Sequence, residues 1–223
     1  MLCSKCGRRE SSIRVGGRDL CVLCANNEVT KRAYRVLSEA GALHTEAIYT
    51  FSSPLFQGWN NLIGRLLARM GKKNEPKLYE LPFESHGSVD EMLHLMLTYR
   101  KEGLILLPIT TDFLTAYLIY SISKGHGPFY SNIYSPHFTL GLAKFVSPMI
   151  RTSALELAGV GEIRFNIGDD EFDTIYMWVL SELNDNSELL FTAPTSITLF
   201  SVKERCLNCG SSLVNGRCKF CEI

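Results

Sequence analysis

"AIYTFSSPLFQGWNNLIGRLLARMG", residues 47–71, reads as a short apolar strand, a loop that begins at Ser52, Ser53 and Pro54, and then a helix. The first strand–loop–helix unit of an α/β protein is a common phosphate site, because the N–H groups at the helix N-terminus point at the anion. A phosphate loop needs a flexible backbone with several N–H donors, and here serines and a proline stand in it. The shape favours a nucleotide site and the residues do not; anion binding by the serine hydroxyls stays open.

Apolar strands and amphipathic helices alternate through the rest of the middle of the chain. The sequence predicts strands at 45–51, 76–83, 104–109 and 143–150, and helices at 56–71, 88–103, 112–125, 153–159 and 171–184. "LILLPI" (104–109) is apolar throughout, which is typical of a strand buried on both faces. The acids of "GDDEFD" (168–173) are expected to cap the following helix, with a metal site as the alternative. The alternation predicts an α/β fold with a mostly parallel, doubly wound sheet that binds ligands at the carboxyl ends of its strands.

Composition excludes several classes of protein. The 223 residues are 46 % apolar and 21 % charged, with a formal net charge of zero, as in ordinary globular proteins. No uninterrupted apolar run reaches the roughly 18 residues of a membrane span. The first ten residues, "MLCSKCGRRE", lack the apolar core of a secretion signal. The sequence therefore predicts a cytoplasmic protein without a membrane anchor.

All eight cysteines lie near the two ends of the chain. They form the patterns C-x2-C-x14-C-x2-C and C-x2-C-x8-C-x2-C, made of Cys3, Cys6, Cys21 and Cys24, and of Cys206, Cys209, Cys218 and Cys221. Two C-x-x-C turns at such spacing fold around one tetrahedral metal ion, and the turn residues between them predict a short hairpin. Each set is therefore predicted to be a zinc ribbon whose metal is structural, since four thiolates leave no open coordination position.

The alternatives to zinc for these cysteines are disulfides, a redox pair and an iron–sulfur cluster. Disulfides are unexpected in a cytoplasmic chain whose cysteines all come in C-x-x-C pairs, and a redox pair does not need a second pair at metal spacing. Spacing alone leaves iron–sulfur ligation open. With zinc, the chain divides into an N-terminal ribbon (1–27), an α/β domain (28–203) and a C-terminal ribbon (204–223).

This organisation resembles the tRNA 2-thiolation family. These are PP-loop proteins of the ATP pyrophosphatase fold (adenine nucleotide alpha hydrolase-like), with N- and C-terminal zinc ribbons. The resemblance covers essentially the whole chain and is most specific in the paired ribbons. It implies a Rossmann-like parallel sheet of the PP-loop type flanked by two zinc ribbons, and a role in 2-thiolation of the tRNA wobble uridine.

The family's catalytic motifs are degenerate here. Active members carry S-G-G-K-D-S after the first strand; on "FSSPLFQGWNN" (51–61), Ser52 can stand for the first serine, but Ser53 and Pro54 replace the glycines and no lysine or aspartate follows. The later acidic segment falls on "LPITTDFLTAYL" (107–118), where Asp112 is a remnant. Active members also use cysteines in the core, and this core has none. The resemblance thus implies a degenerate nucleotide site at Ser52, Ser53 and Asp112 and no catalytic residue. It further implies two structural zinc ions, and neither ATP nor an iron–sulfur cluster is expected.

Two basic segments are candidates for RNA contact. They comprise Lys5, Arg8, Arg9, Arg14 and Arg18 in the first ribbon, and Arg65, Arg69, Lys72 and Lys73 at the end of the first core helix. Lysine and arginine on a rigid surface can hold the phosphates of a tRNA. The alternatives are an ordinary solvated ribbon surface and a helix end whose positive charge complements the helix dipole.

Three functions follow for testing. The leading hypothesis is a non-catalytic subunit in tRNA wobble-uridine 2-thiolation, most similar to the partner subunit of the cytoplasmic complex. It would form a heterodimer with an active PP-loop paralogue and contribute tRNA binding. The alternatives are an active nucleotide-binding tRNA-modifying enzyme with a remodelled phosphate loop, and a stand-alone zinc-ribbon RNA-binding adaptor.

Overall fold

The computed structural model describes residues 1–69, 77–84, 87–99, 101–157, 161, 163–182, 195, 197 and 204–221. Within them the strands are β1 (Ile13–Val15), β2 (Arg18–Leu20), β3 (Ala47–Ser52), β4 (Phe56–Gln57), β5 (Lys77–Pro82), β6 (Gly103–Leu106), β7 (His137–Leu140), β8 (Ala143–Val146) and β9 (Arg164–Phe165). The α-helices are α1 (Val22–Glu39), α2 (Trp59–Arg69), α3 (Val89–Thr98), α4 (Thr111–Ser123) and α5 (Asp170–Glu182). None of these helices is both long enough and apolar enough to cross a membrane.

A five-stranded sheet forms the centre of the molecule, in the order β5-β3-β6-β8-β7. Strands β5, β3, β6 and β8 are parallel, and β7 joins the edge antiparallel to β8. The mostly parallel α/β fold predicted from the alternation of strands and helices is confirmed. The chain leaves β3 for β5 on one side and then returns to β6 on the other, so the order reverses between β3 and β6. Ligand sites of open α/β sheets lie at such a switch point, outside the carboxyl ends of the strands.

Strand β7 was not predicted, and β8 is shorter than its predicted range of 143–150. The two form a hairpin in which Leu140 pairs with Ala143 across Gly141, whose φ is +59°. Phe138 stacks on its cross-strand partner Phe145 with ring centroids 5.3 Å apart. Pairing with β8 therefore makes a strand of four residues that follow a Gly/Pro-rich loop and carry no periodic pattern of their own.

The N-terminal caps of α3 and α5 agree with the sequence, whereas α3 ends at Thr98 and not at Gly103, where its predicted range of 88–103 ends. Ser88 Oγ accepts a hydrogen bond from the N–H of Glu91 at the start of α3, and Asp169 Oδ1 accepts one from the N–H of Phe172 at the start of α5. The predicted cap in "GDDEFD" is thus confirmed. Of the predicted helix at 153–159, the described residues 153–157 contain a single 3-10 turn at Leu155–Leu157, and 158 and 159 lie outside the described residues.

Candidate metal centres and the crevice at the strand ends

The N-terminal cysteine set comes together around the β1–β2 hairpin. The sulfur atoms of Cys3, Cys6, Cys21 and Cys24 all lie within 4.8 Å of one another. The first turn closes when the N–H of Gly7, at a φ of +62°, donates to the carbonyl of Cys3 over 2.9 Å. Cys21 is the N-cap residue of α1, and Cys24 lies in its first turn. Two ligands therefore stand on a tight turn and two on the start of a helix.

In the C-terminal set the four sulfur atoms also lie within 4.8 Å of one another; they belong to Cys206, Cys209, Cys218 and Cys221. Its first turn repeats the N-terminal one: the N–H of Gly210, at a φ of +75°, donates to the carbonyl of Cys206 over 2.8 Å. A buried hydroxyl distinguishes this set, because Ser211 Oγ lies 3.3 Å from Cys209 Sγ and 3.2 Å from Cys218 Sγ. The corresponding residue after the first C-x-x-C-G is the exposed Arg8.

The thiols within each set differ in acidity. The backbone N–H of Cys21 is the main cause that lowers the pKa of Cys3 to about 6, whereas burial raises the pKa of Cys24 to about 12. Burial alone would raise the pKa of Cys218, but hydrogen bonds from Ser211 and from backbone N–H groups outweigh it and give about 6. Burial raises the pKa of Cys221 to about 12. Because a bound metal deprotonates its thiol ligands, four clustered sulfurs of this kind fit a metal–thiolate centre.

A buried carboxylate holds the N-terminal hairpin on the core. Glu156 Oε1 accepts from the N–H of Gly16 over 2.7 Å, and its Oε2 accepts from the N–H of Ser153 and pairs with Arg32 at 3.0 Å. Burial raises the pKa of Glu156, and the charge of Arg32 opposes that rise.

The C-terminal hairpin docks through Ser212, whose N–H and hydroxyl both donate to the carbonyl of Phe129, at 2.7 and 3.1 Å. The ring of Phe220 packs among those of His94, Phe129 and Tyr130, with centroids 5.4–5.5 Å apart. Both hairpins are therefore built into the core.

A cavity of about 250 Å³ lies where β3 ends and α2 begins. Hydroxyl, amide and apolar groups line it, with no charged side chain among them: Ser52, Ser53, Pro54, Phe56, Gln57, Gly58, Asn60 and Asn61. Ser53 also shapes the loop, because its hydroxyl accepts from the N–H of Leu55 and its carbonyl from that of Phe56. Two of the three predicted nucleotide-site residues, Ser52 and Ser53, therefore do line a cavity at the strand end.

The third, Asp112, does not line that cavity. It is fully buried in the first turn of α4. Its Oδ2 accepts from the hydroxyls of Tyr176 (2.8 Å) and Thr110 (3.1 Å), and its Oδ1 accepts from the N–H of Ala154 (2.8 Å). Burial raises the pKa of Asp112. The carboxyl group thus ties α4 to α5 and to the segment before the 3-10 turn.

Aromatic rings connect the loop to α4. Phe56, which lines the cavity, contacts Phe165 with centroids 6.2 Å apart, and Phe165 contacts Phe113 at 5.3 Å and Tyr176 at 5.4 Å. The β4–β9 pair fixes Phe56 opposite Phe165. Behind the loop, the buried Trp59 donates from Nε1 to Thr50 Oγ1 over 2.8 Å. An apolar layer thus occupies the switch point next to the polar cavity.

The predicted basic residues fall into three groups. In the first ribbon, Lys5 and Arg18 pair with Glu28 at 3.0 and 3.3 Å, and Lys5 is the main cause that lowers the pKa of that carboxyl. Arg8, Arg9 and Arg14 are exposed on the same ribbon. On α2, Arg65 is exposed and Arg69 donates to Thr30 Oγ1 over 2.9 Å. Lys72 and Lys73 lie outside the described residues.

Sequence reasoning missed a second cavity, of about 440 Å³, between α1 and α2. Lys31, Tyr34, Arg35 and Ser38 line it from α1. Their i, i+3, i+4, i+7 spacing puts them on one helix face and is visible in "KRAYRVLS" (31–38).

The fold and the cysteine sets define the structural class: an α/β protein with a mostly parallel sheet and a four-cysteine hairpin near each end. Among solved structures, the chain is similar to the U34-tRNA thiolase NcsA from Methanococcus maripaludis with its 4Fe–4S cluster. The TM-score is 0.59 at 11 % sequence identity, over 99 % of this chain and 94 % of that one. At this identity the likeness shows a shared PP-loop-type fold. No family model matches the chain, and no curated protein matches it by sequence.

This comparison corrects the expected cofactors. The sequence-based expectation of zinc without an iron–sulfur cluster is wrong, because the matched thiolase carries a 4Fe–4S cluster and this chain has two four-cysteine sets. Four thiolates serve zinc and iron–sulfur clusters alike, so the donor sets do not distinguish the two. We therefore describe both sets as metal–thiolate sites.

Proposed function

We propose that this chain is a non-catalytic subunit in 2-thiolation of the tRNA wobble uridine in the cytoplasm. It would form a heterodimer with an active PP-loop paralogue and contribute surface for tRNA. The two metal–thiolate hairpins, near 1–27 and 204–221, would keep their shape through their metals and flank the α/β domain between them.

The observation that carries the proposal is the extent of the fold likeness combined with the contents of the crevice. The likeness to the U34-tRNA thiolase runs over nearly the full length of both chains. In this chain the loop after the first core strand presents Ser53 and Pro54 where active family members have glycines, and none of the described residues that line its cavity is charged. A backbone without those glycines approaches phosphates poorly, and neutral amides do not replace a lysine on a phosphate.

The environment of Asp112 supports the same proposal. A carboxylate that orders a metal–nucleotide complex must reach the ligand, yet both oxygens of Asp112 are occupied by buried hydrogen bonds. Asp112 is not among the described residues that line the cavity at the loop. The acidic position thus supports structure rather than chemistry.

The test is reconstitution with an S-G-G-K-D-S paralogue from the same source. The two chains are co-expressed, one is tagged, and thiolated tRNA is measured by its retardation in mercury-containing gels. We expect the chains to co-purify and thiolation to require both. If the paralogue thiolates tRNA equally well alone and no complex forms, the proposal fails.

The polar cavity at Ser52 and Ser53 favours one alternative, an active enzyme with a remodelled phosphate loop. One control arm distinguishes this alternative from the non-catalytic role. This chain alone is incubated with tRNA, ATP and a sulfide source. Thiolation in that arm would identify an enzyme and overturn the non-catalytic role. Binding of tRNA without any binding of the paralogue would instead identify an adaptor.

A further inference from the structure

The groove between α1 and α2 combines a buried apolar floor with a cationic rim. Leu37 and Leu66 form the floor and are almost fully buried. Lys31, Arg35 and Arg69 line the rim, and Glu39 is the acidic residue among the described residues of the lining. We propose that this groove binds the ribose–phosphate backbone of RNA, which deepens the proposed function by naming a surface for tRNA.

The charges in the groove are available to a ligand. Lys31 and Arg35 are exposed, and within the part of the chain that the structure describes neither forms an ion pair. Arg69 is oriented by a neutral partner, the hydroxyl of Thr30, and among the described residues it forms no ion pair. In the first ribbon, by contrast, Lys5 and Arg18 share Glu28. Among the described residues the groove lining thus carries three positive charges against the one negative charge of Glu39, a net excess of positive charge.

The arrangement suits a polyanion better than a single small anion. Lys31 and Arg35 are one helical turn apart, about 6 Å along the axis, comparable with the separation of successive phosphates in an RNA strand. Arg69 belongs to α2, and its guanidinium reaches Thr30 on α1, so a third positive charge joins those of Lys31 and Arg35 in the lining. Between Lys31 and Arg35 on the α1 wall, Tyr34 is 40 % exposed and presents an aromatic face on which a base or ribose can stack.

The experiment measures tRNA binding by fluorescence anisotropy over a range of salt concentrations. The test variant is Lys31→Ala/Arg35→Ala, and the matched control is Lys101→Ala/Arg151→Ala, which removes one lysine and one arginine at exposed positions outside the groove. We expect the test variant to bind about tenfold more weakly at low salt. The slope of log K against log [salt] should fall in magnitude by about 1.4 to 1.8, from about 0.7 per lost phosphate contact on a single strand to about 0.9 on B-DNA. The control should keep the wild-type slope.

Two further variants sharpen the outcome. Lys31→Arg/Arg35→Lys keeps both charges and should restore most of the salt slope, and Tyr34→Ala should weaken binding with the slope unchanged. Wild-type affinity and salt slope in the Lys31→Ala/Arg35→Ala variant would overturn the inference. A variant that binds tRNA normally but no longer binds the paralogue would also overturn it, because the groove would then be a protein interface. Because tRNA binding is measured without thiolation, failure here leaves the reconstitution test of the proposed function unaffected.

Discussion

Replacing Asp112 tests whether this buried carboxyl group serves structure or chemistry. Asp112→Ala removes an acceptor of three hydrogen bonds, at 2.8, 2.8 and 3.1 Å. The N–H of Ala154 and the hydroxyl of Tyr176 then lose their buried partner, and an unsatisfied buried donor costs about 1–3 kcal/mol. Since removal of a buried carboxyl also relieves its desolvation, we expect the free energy of unfolding to fall by about 2–4 kcal/mol.

Asp112→Asn should cost far less. The amide oxygen can still accept from the N–H of Ala154, and the amide N–H groups can donate to the hydroxyls of Tyr176 and Thr110, since a hydroxyl is both donor and acceptor. We expect a loss of about 1 kcal/mol or less. The matched control is Asp170→Asn, the same change at an exposed position on the first turn of α5, which should be nearly neutral.

The pH dependence follows from the raised pKa of Asp112. A carboxyl group whose pKa is higher in the folded state contributes stability that is complete below its ordinary pKa, about 3.9, and is lost as pH rises through the raised value. The wild type should therefore lose up to about 1.4 kcal/mol per pH unit in that interval relative to Asp112→Asn, which has no proton to release. Comparing the two proteins at each pH cancels effects of metal loss that both share.

Urea unfolding monitored by tryptophan fluorescence is the assay, since Trp59 is fully buried. In parallel, Asp112→Asn is tested in the reconstituted thiolation reaction, where we expect activity close to that of the wild type. Equal destabilisation by the asparagine and alanine variants would refute the hydrogen-bond reasoning. Loss of thiolation in a stably folded Asp112→Asn protein would refute the structural assignment.

Three other perturbations have defined outcomes. Glu156→Ala should lower the free energy of unfolding by about 2–4 kcal/mol, because the N–H of Gly16 and the charge of Arg32 lose their partner. Proteolysis within the first hairpin should also become faster, and an unchanged rate of proteolysis would contradict the role of Glu156 in holding the hairpin. Ser211→Ala should speed release of metal to a chromogenic chelator about tenfold, because the Ser211 hydroxyl lies next to two of the sulfurs. The control is Ser4→Ala, which should leave release unchanged, since the Ser4 hydroxyl donates to the carbonyl of Asp19. Equal effects of the two variants would contradict a role of Ser211 at the sulfurs. Chelation of all metal should abolish amide protection in both hairpins but not in β3 and β6, as hydrogen exchange would report; a global loss of protection would show that the sheet itself depends on metal.

Local patterns in the sequence were sufficient to predict the parallel part of the sheet. The continuous apolar run at 104–109 predicted β6, although the strand ends at Leu106, and the alternation of strands and helices predicted the α/β class. The spacing of the cysteines predicted two sets, and the structure brings the sulfurs of each set together. Each of these inferences depends on residues close together in the chain.

Features that depend on distant residues were not predictable. Strand β7 exists because it pairs with β8, and Phe165 reaches Phe56 through a pair of two-residue strands. Asp112 was predicted to belong to a nucleotide site because the sequence does not indicate its buried hydrogen-bond partner Tyr176, which is 64 residues away. The metal could not be assigned either, since four thiolates present the same donors to zinc and to iron–sulfur clusters.

The contact between Gly16 and Glu156 has a consequence for the order of assembly. The N-terminal hairpin leaves the ribosome before its carboxylate acceptor, which is synthesised 140 residues later. Until then the hairpin can be held by a metal on its own four cysteines and by α1, where Glu28 pairs with Lys5 and Arg18. Metal can therefore load on the nascent chain before the domain beneath it exists, while docking of the hairpin must wait until most of the polypeptide has emerged.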